Sequence, residues 1–394
     1  MKAFKPLYLI LAFGVVASCQ VQSVEDIPED EDIQAVTFHL TAYQSDDFST
    51  RSAYDTGADL FLWSEGDAVG ILSQEGSQLK FPIQPEYYGQ SYAKFDGRGF
   101  ALLPNTTYAS FYPFLPDYNL DLAAIPISYE GQKQLGDNDF SQLGLSAYAA
   151  ALGTATSKSA LDFSFQNIGS AHRYRLPALP GDYKRLILNA SDSEWIISGT
   201  LNLQENHAEN LTKISPLTTS GTMYLDLTGT SLTSTMQLRC WLMMPPADLT
   251  GQTIRLTLER EDGTALTASV PGKDCPANSR RVFNALTSVY PAMAETGSSE
   301  GTLSVQLLRS AASDQVSVSS DADWITIGSS STEGTITTYS IHIAENTGAQ
   351  RSATVSFTES STGMVNSVTI NQLKAGTIIG IGGWSSEEHS GTAQ

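Results

Sequence analysis

Short apolar alternations separated by turn residues run through this chain while helical periodicity is nearly absent, a pattern that points to an all-β fold. Val36, Phe38, Leu40 and Ala42 alternate, as do Phe163 and Phe165, Leu186 and Leu188, Ile254, Leu256 and Leu258, and Tyr339, Ile341 and Ile343. Successive side chains of a strand point to opposite faces, so each run can bury one face of a sheet. Asp96-Gly97, Leu115-Pro116-Asp117 and Glu261-Asp262-Gly263 interrupt the runs with residues suited to turns. Short strands at this spacing favour β-sandwiches. The Ala- and Leu-rich stretch 143–152 does not alternate and is expected to be a short helix or a loop.

A chain of 394 residues has room for two to four domains, each with its own core. Glu295-Thr296-Gly297-Ser298-Ser299-Glu300-Gly301 offers nothing apolar to bury, which predicts a linker at 294–300. The small polar stretch 154–159 marks a second boundary. The expected units are therefore 34–157, 158–293 and 301–373, with a tail at 374–394.

The first residues carry a different signal. Lys2 and Lys5 precede an uncharged apolar run from Leu7 to Val16, the layout of a secretory signal over 1–18. The run is shorter than the roughly 20 residues a membrane-spanning helix needs. Val16-Ala17-Ser18-Cys19 resembles a bacterial lipobox, which implies cleavage before Cys19 and acylation of its thiol. Several acyl chains together hold far longer than one, so the anchoring would be lasting. Residues 19–33, with Glu25-Asp26 and Glu29-Asp30-Glu31-Asp32, then form an acidic tether. Loss of Lys2 and Lys5 takes the formal net charge from -20 to -22, a field that argues against nucleic acid as a partner.

No catalytic constellation is visible, and the chain is expected not to be an enzyme. Gly297-Ser298-Ser299-Glu300-Gly301 fits G-x-S-x-G in letters, but a nucleophile elbow needs a strand before it and a helix after it. His39, His172, His207, His342 and His389 are scattered without zinc-ligand spacing, and no calcium loop follows the acidic runs, so no metal and no cofactor are expected. After Cys19 only Cys240 and Cys275 remain. In an exported protein they either form a disulfide or stay as two buried thiols. Exposed aromatic rings could stack on sugars, but Trp63, Trp195, Trp241 and Trp324 sit in strand-like runs and are expected in the core.

Thr50-Arg51-Ser52 and Trp63-Ser64-Glu65-Gly66-Asp67, then Tyr108-Ala109-Ser110-Phe111-Tyr112-Pro113-Phe114, Phe163-Ser164-Phe165-Gln166-Asn167 and Trp241-Leu242-Met243-Met244-Pro245-Pro246, resemble in this order the fimbrillin family of Bacteroidota type V pilus subunits. That resemblance implies two tandem transthyretin-like β-sandwich subdomains over about 34–292, display at the cell outer membrane or in a fimbrium, and assembly with other fimbrial subunits by strand exchange. It also implies proteolytic processing at Arg51, against the plainer reading of a solvated loop arginine. Withdrawing the strand that begins at Val36 would forfeit on the order of 6 to 10 kcal/mol of burial, comparable to a whole domain's stability of about 5 to 15 kcal/mol, so a stripped domain would need a replacement strand. The tail, with Ile378, Ile379, Ile381 and Trp384, is either a donor strand or closes its own chain.

Trp324-Ile325-Thr326-Ile327, Asn346, Arg351-Ser352-Ala353-Thr354-Val355 and Val368-Thr369-Ile370-Asn371-Gln372 resemble a BACON domain, a small β-sandwich, over 301–373. In that reading Trp324 fills the sandwich, and host or mucin glycans become candidate partners. The function expected is a fimbrial subunit of accessory, tip or anchor type that serves adhesion. A monomeric glycan-binding surface lipoprotein is the alternative.

Overall fold

The structure, a computed structural model, describes residues 36–40, 53–55, 60–72, 78–90, 92–97, 102–116, 120–142, 146–158, 160–204, 208–234 and 236–376. Cys19, Arg51, the acidic tether and the tail from 377 lie outside the described residues. The chain is all-β, and the described helical structure is limited to short 3-10 turns such as Pro85–Tyr87.

The first unit contains β1 (Val36–Leu40), β2 (Ala53–Asp55), β3 (Leu60–Leu62), β4 (Ala68–Leu72), β5 (Gln78–Pro82), β6 (Lys94–Gly97) and β7 (Thr107–Tyr112). The chain then leaves for β8 (Ile125–Ser128) and returns for β9 (Ala149–Thr154), β10 (Ala160–Phe163) and β11 (Gln166–Asn167). A three-stranded sheet in the order β10-β1-β6 and a five-stranded sheet in the order β11-β9-β7-β4-β5 enclose a core of Trp63, Val69, Ile71, Phe81, Phe95, Tyr112 and Phe163. The opposite face of the larger sheet presents Leu72, Ala109, Phe111 and Ala150 to the core of the second unit. A strand covered on both faces reads as a continuous apolar run. That is why Ala149–Ala151, expected in a helix or loop, is a strand: all three are fully buried, Ala150 on one side and its neighbours on the other.

The second unit contains β12 (Ser170–Ala178), β13 (Gly181–Ala190), β14 (Trp195–Leu201), β15 (Ile214–Ser220), β16 (Thr222–Leu232), β17 (Met236–Met244), β18 (Ala247–Asp248), β19 (Thr253–Arg260), β20 (Ala265–Pro271), β21 (Asp274–Cys275), β22 (Ser279–Asn284) and β23 (Thr287–Tyr290). Leu186 and Leu188 of β13 and Ile254, Leu256 and Leu258 of β19 bury the faces their alternation predicts, in one core with Tyr174, Leu238, Leu242 and Phe283. The boundary expected near 157 does not coincide with the strand pairing. β10 and β11, beyond it, belong to the first unit, while β8, before it, pairs with β14 of the second. The segment after β8 also shields the free edge of β17: the Gln132 amide donates to Met243 O at 2.7 Å and accepts from Met243 N at 2.7 Å, and Gln134 does the same with Arg239 O and Trp241 N at 2.8 Å each. Two side-chain amides thus take the place of a neighbouring strand, which blunts an edge open to pairing.

The third unit contains β24 (Met293–Thr296), β25 (Gly301–Arg309), β26 (Val316–Ser320), β27 (Ile325–Glu333), β28 (Ile336–Ile343), β29 (Arg351–Glu359) and β30 (Val365–Gln372). One of its sheets has the order β24-β30-β29-β26, and the other continues an eight-stranded sheet ordered β16-β13-β19-β20-β23-β25-β28-β27 across both units. Val305, Leu307, Ile341, Ala353, Val355, Phe357, Val368 and Ile370 fill the space between them, with Val289 contributed by β23. The expected linker is therefore built into the fold. Met293–Thr296 is a strand parallel to β30, and Ser298 is buried. Backbone pairing needs no apolar side chain, so composition alone could not reveal it.

Candidate functional site

The described residues bring no catalytic group together. Ser298 follows β24 and precedes β25 rather than a helix, and its carbonyl accepts a 2.7 Å bond from the Asn346 amide. No group of three or more His, Cys, Asp or Glu side chains is placed to hold a metal ion among the described residues. His172 is buried between Tyr174, whose hydroxyl lies 3.1 Å from Nδ1, and the Phe283 ring. Burial, and secondarily the charge of Arg281, push its pKa down to about 3, so it packs as a neutral ring.

Of the residues expected at special sites, Cys19 and Arg51 lie outside the described residues. Cys240 and Cys275 are free and fully buried, so of the two arrangements left open the structure has the unpaired thiols. Cys275 donates to Lys273 O at 3.3 Å. Burial raises both thiol pKa values, that of Cys275 to about 12, which leaves neither poised as a nucleophile.

The quoted motifs have structural work. Ser64–Asp67 is a turn in which Asp67 N donates to Ser64 O and Gly66 takes φ +90°, a conformation that favours glycine. The Asp67 carboxylate accepts from Ser64 N at 2.7 Å and the Tyr112 hydroxyl at 2.9 Å, and Trp63 meets Phe95 and Tyr112 edge to face. In the third unit Asn346, Arg351 and Gln372 build one polar knot. Asn346 Nδ2 donates to Ala349 O and Leu373 O at 2.7 Å each, and its Oδ1 accepts from Gly348 N at 3.0 Å. Arg351 Nε donates to Gln372 Oε1 at 2.8 Å, while its Nη2 reaches Ala344 O and Glu345 O at 2.8 and 3.0 Å. Gln372 Nε2 in turn donates to Ala344 O at 3.0 Å and Ser298 O at 3.3 Å.

Trp324 packs against the core of the third unit, as expected, but is less completely covered than the other three. Trp63, Trp195 and Trp241 are core residues, but Trp324 is half-buried at the mouth of β27 and lines an open cleft of about 480 Å³. The Arg351 guanidinium lies 4.3 Å from its ring centroid and fixes the indole from one side. Around the cleft stand Glu300, Thr302, Asp323, Thr326 and His342, all exposed, with His342 Nδ1 3.1 Å from Thr302 Oγ1. An aromatic surface ringed by carboxylates, hydroxyls and an imidazole suits a ligand with apolar C–H faces and many hydroxyls. The signal available in sequence was position: Trp324 follows Asp321 and Asp323 and directly precedes β27. A second, more apolar cavity of about 260 Å³ lies against Ile197, Met223 and Tyr224.

Comparison with known proteins bears on the third unit. Among curated proteins none matches the chain. A solved structure described as a "putative cell adhesion protein" from Bacteroides eggerthii is 10% identical, with 64% of this chain and 85% of that one covered and a TM-score of 0.28. The I9-I11 tandem of titin is 9% identical over 79% of this chain and 90% of its own, with a TM-score of 0.17. Cadherin-like domains 1 to 4 of zebrafish RET are 7% identical over 78% of this chain and 65% of their own, with a TM-score of 0.15. Scores of this size establish no shared architecture. The BACON family, described as "Putative binding domain, N-terminal", matches residues 313–373. The C-terminal sandwich, with its knot and its Trp324 cleft, carries a BACON domain.

Proposed function

We propose that this chain is a non-enzymatic surface adhesion protein, delivered to the outer membrane as a precursor acylated at Cys19, that joins other fimbrial subunits by exchange of its first strand once a cut after Arg51 has freed it from that anchor. The observation that carries the reading is the place of β1. It runs between β10, to which it is parallel through Thr37↔Ala160 to Leu40↔Phe163, and β6, to which it is antiparallel through Val36↔Gly97 to His39↔Lys94. A cut after Arg51 would release this strand together with the lipid anchor and uncover two facing ladders at once. A strand of another subunit could then restore both by β-augmentation. The test is amino-terminal sequencing of surface-derived protein beside an Arg51→Ala variant. Chains beginning at Ser52, and loss of oligomers in the variant, are expected. Mature chains that all begin at acylated Cys19, with assembly unaffected by the substitution, would overturn strand exchange.

One observation favours a second reading, a monomeric surface lipoprotein that binds glycans. The half-exposed Trp324 cleft could place the indole against a pyranose ring, with Glu300 and Asp323 accepting from its hydroxyls. On this reading Trp324→Ala abolishes saturable binding to mucin glycans while far-UV circular dichroism is unchanged. Retained binding would remove the cleft from consideration.

A further inference from the structure

The chain enters the third unit through β24 and leaves it through β30, and these two strands pair in parallel. The register runs Met293↔Thr369, Ala294↔Ile370, Glu295↔Asn371 and Thr296↔Gln372. Thr369 N donates to Ala292 O at one end of this ladder and Leu373 N to Thr296 O at the other, both at 3.0 Å. In parallel strands the beginning of the first and the end of the last lie at opposite ends of the ladder. Tension applied through the chain therefore slides one strand along the other and loads all the bonds together. An antiparallel pair pulled at its adjacent ends would instead open one bond at a time.

The surroundings reinforce this arrangement. The polar knot grips the far end, where Gln372 Nε2 reaches Ser298 O just past β24 and Asn346 holds Leu373 O. The near end of β30 is stapled to the second unit. Thr267 Oγ1 donates to Ser367 O at 3.0 Å, Ser269 Oγ to Val365 O at 2.9 Å, and Asn366 Nδ2 to Thr287 Oγ1 at 2.6 Å. We infer that the third unit is a shear clamp that carries tension between its incoming and outgoing chain ends. The inference does not rest on strand exchange or glycan binding, because it concerns only how this unit responds to a pull.

The test compares two directions of pull on the full chain in a Cys19→Ser background, held at constant force in an optical trap. One handle is fixed to the carboxyl terminus and the other to a single surface thiol. Met293→Cys, at a position 64% exposed, loads β24 against β30 in shear. Gln350→Cys, exposed beside Arg351, which pairs with Gln372, loads the antiparallel β29–β30 pair from one end. Buried Cys240 and Cys275 do not take the handle. At equal load the unit is expected to survive on the order of a hundredfold longer in the first geometry, since several backbone bonds must fail together. Equal lifetimes, or a shorter lifetime when pulled from residue 293, would overturn the clamp.

Discussion

Asn346→Ala isolates the polar knot. The side chain is 4% exposed and makes three bonds of 2.7, 2.7 and 3.0 Å, to Ala349 O, Leu373 O and Gly348 N. Truncation leaves two carbonyls and one amide short of a partner, and at about 1 kcal/mol for each bond the loss is about 3 kcal/mol. Because other parts of the chain need not open with this region, global unfolding is a poor probe. Native-state hydrogen exchange on peptides from β24 and β30 reads it directly, and protection there is expected to fall by about two orders of magnitude. Asn346→Asp sharpens the test. Its Oδ1 can still accept from Gly348, but a carboxylate oxygen would replace the donor between two carbonyl oxygens. At pH 7 it is expected to be at least as damaging as alanine, with partial recovery on acidification as a proton restores one donor. Unchanged protection in Asn346→Ala, or an aspartate that behaves like wild type at pH 7, would refute the knot.

Two further outcomes follow from buried titratable groups. His172 has its folded pKa lowered to about 3 from an ordinary 6.5, so between these values the unfolded chain binds a proton that the folded chain refuses. Its contribution is therefore fully present above pH 6.5 and is lost as pH falls towards 3, by on the order of a few kcal/mol. Urea titrations across that range should show this slope, and His172→Phe should flatten it at a pH-independent cost from the unpaired Tyr174 hydroxyl. Cys240 and Cys275 should resist alkylation in native, unreduced protein and react together once urea unfolds the second unit. Rapid modification of either native thiol would contradict their burial.

Much of the fold could be read where a strand buries one face. Ile254, Leu256 and Leu258, or Ala353, Val355 and Phe357, alternate because only one side of each strand meets a core. Ala149–Ala151 lost that signal because two cores meet across its sheet. The 157 boundary failed for a topological reason, since β8 crosses to the second unit before β9 returns to the first, and periodicity carries no information about which sheet a strand joins. The candidate site was partly visible. Asn346, Arg351 and Gln372 stood out as motif residues, but their convergence depends on contacts 21 and 27 residues apart in sequence. Trp324 packs on the core its run pointed to, but how completely a side chain is covered is a tertiary property that a strand-like run does not show.

The eight-stranded sheet has a consequence for what counts as a module. The family match begins at residue 313, after β24 and β25, and a fragment cut at that point would keep β28 and β30 while discarding a neighbour of each. Both sheets would then expose a bare ladder, one of them the seam that joins the BACON domain to the preceding unit. Such a piece would sooner stack on copies of itself than stand alone. The stretch that sequence likeness marks as a transferable part is thus smaller than the body that can be excised intact, and a graft onto another protein would have to bring its host's edge strands with it.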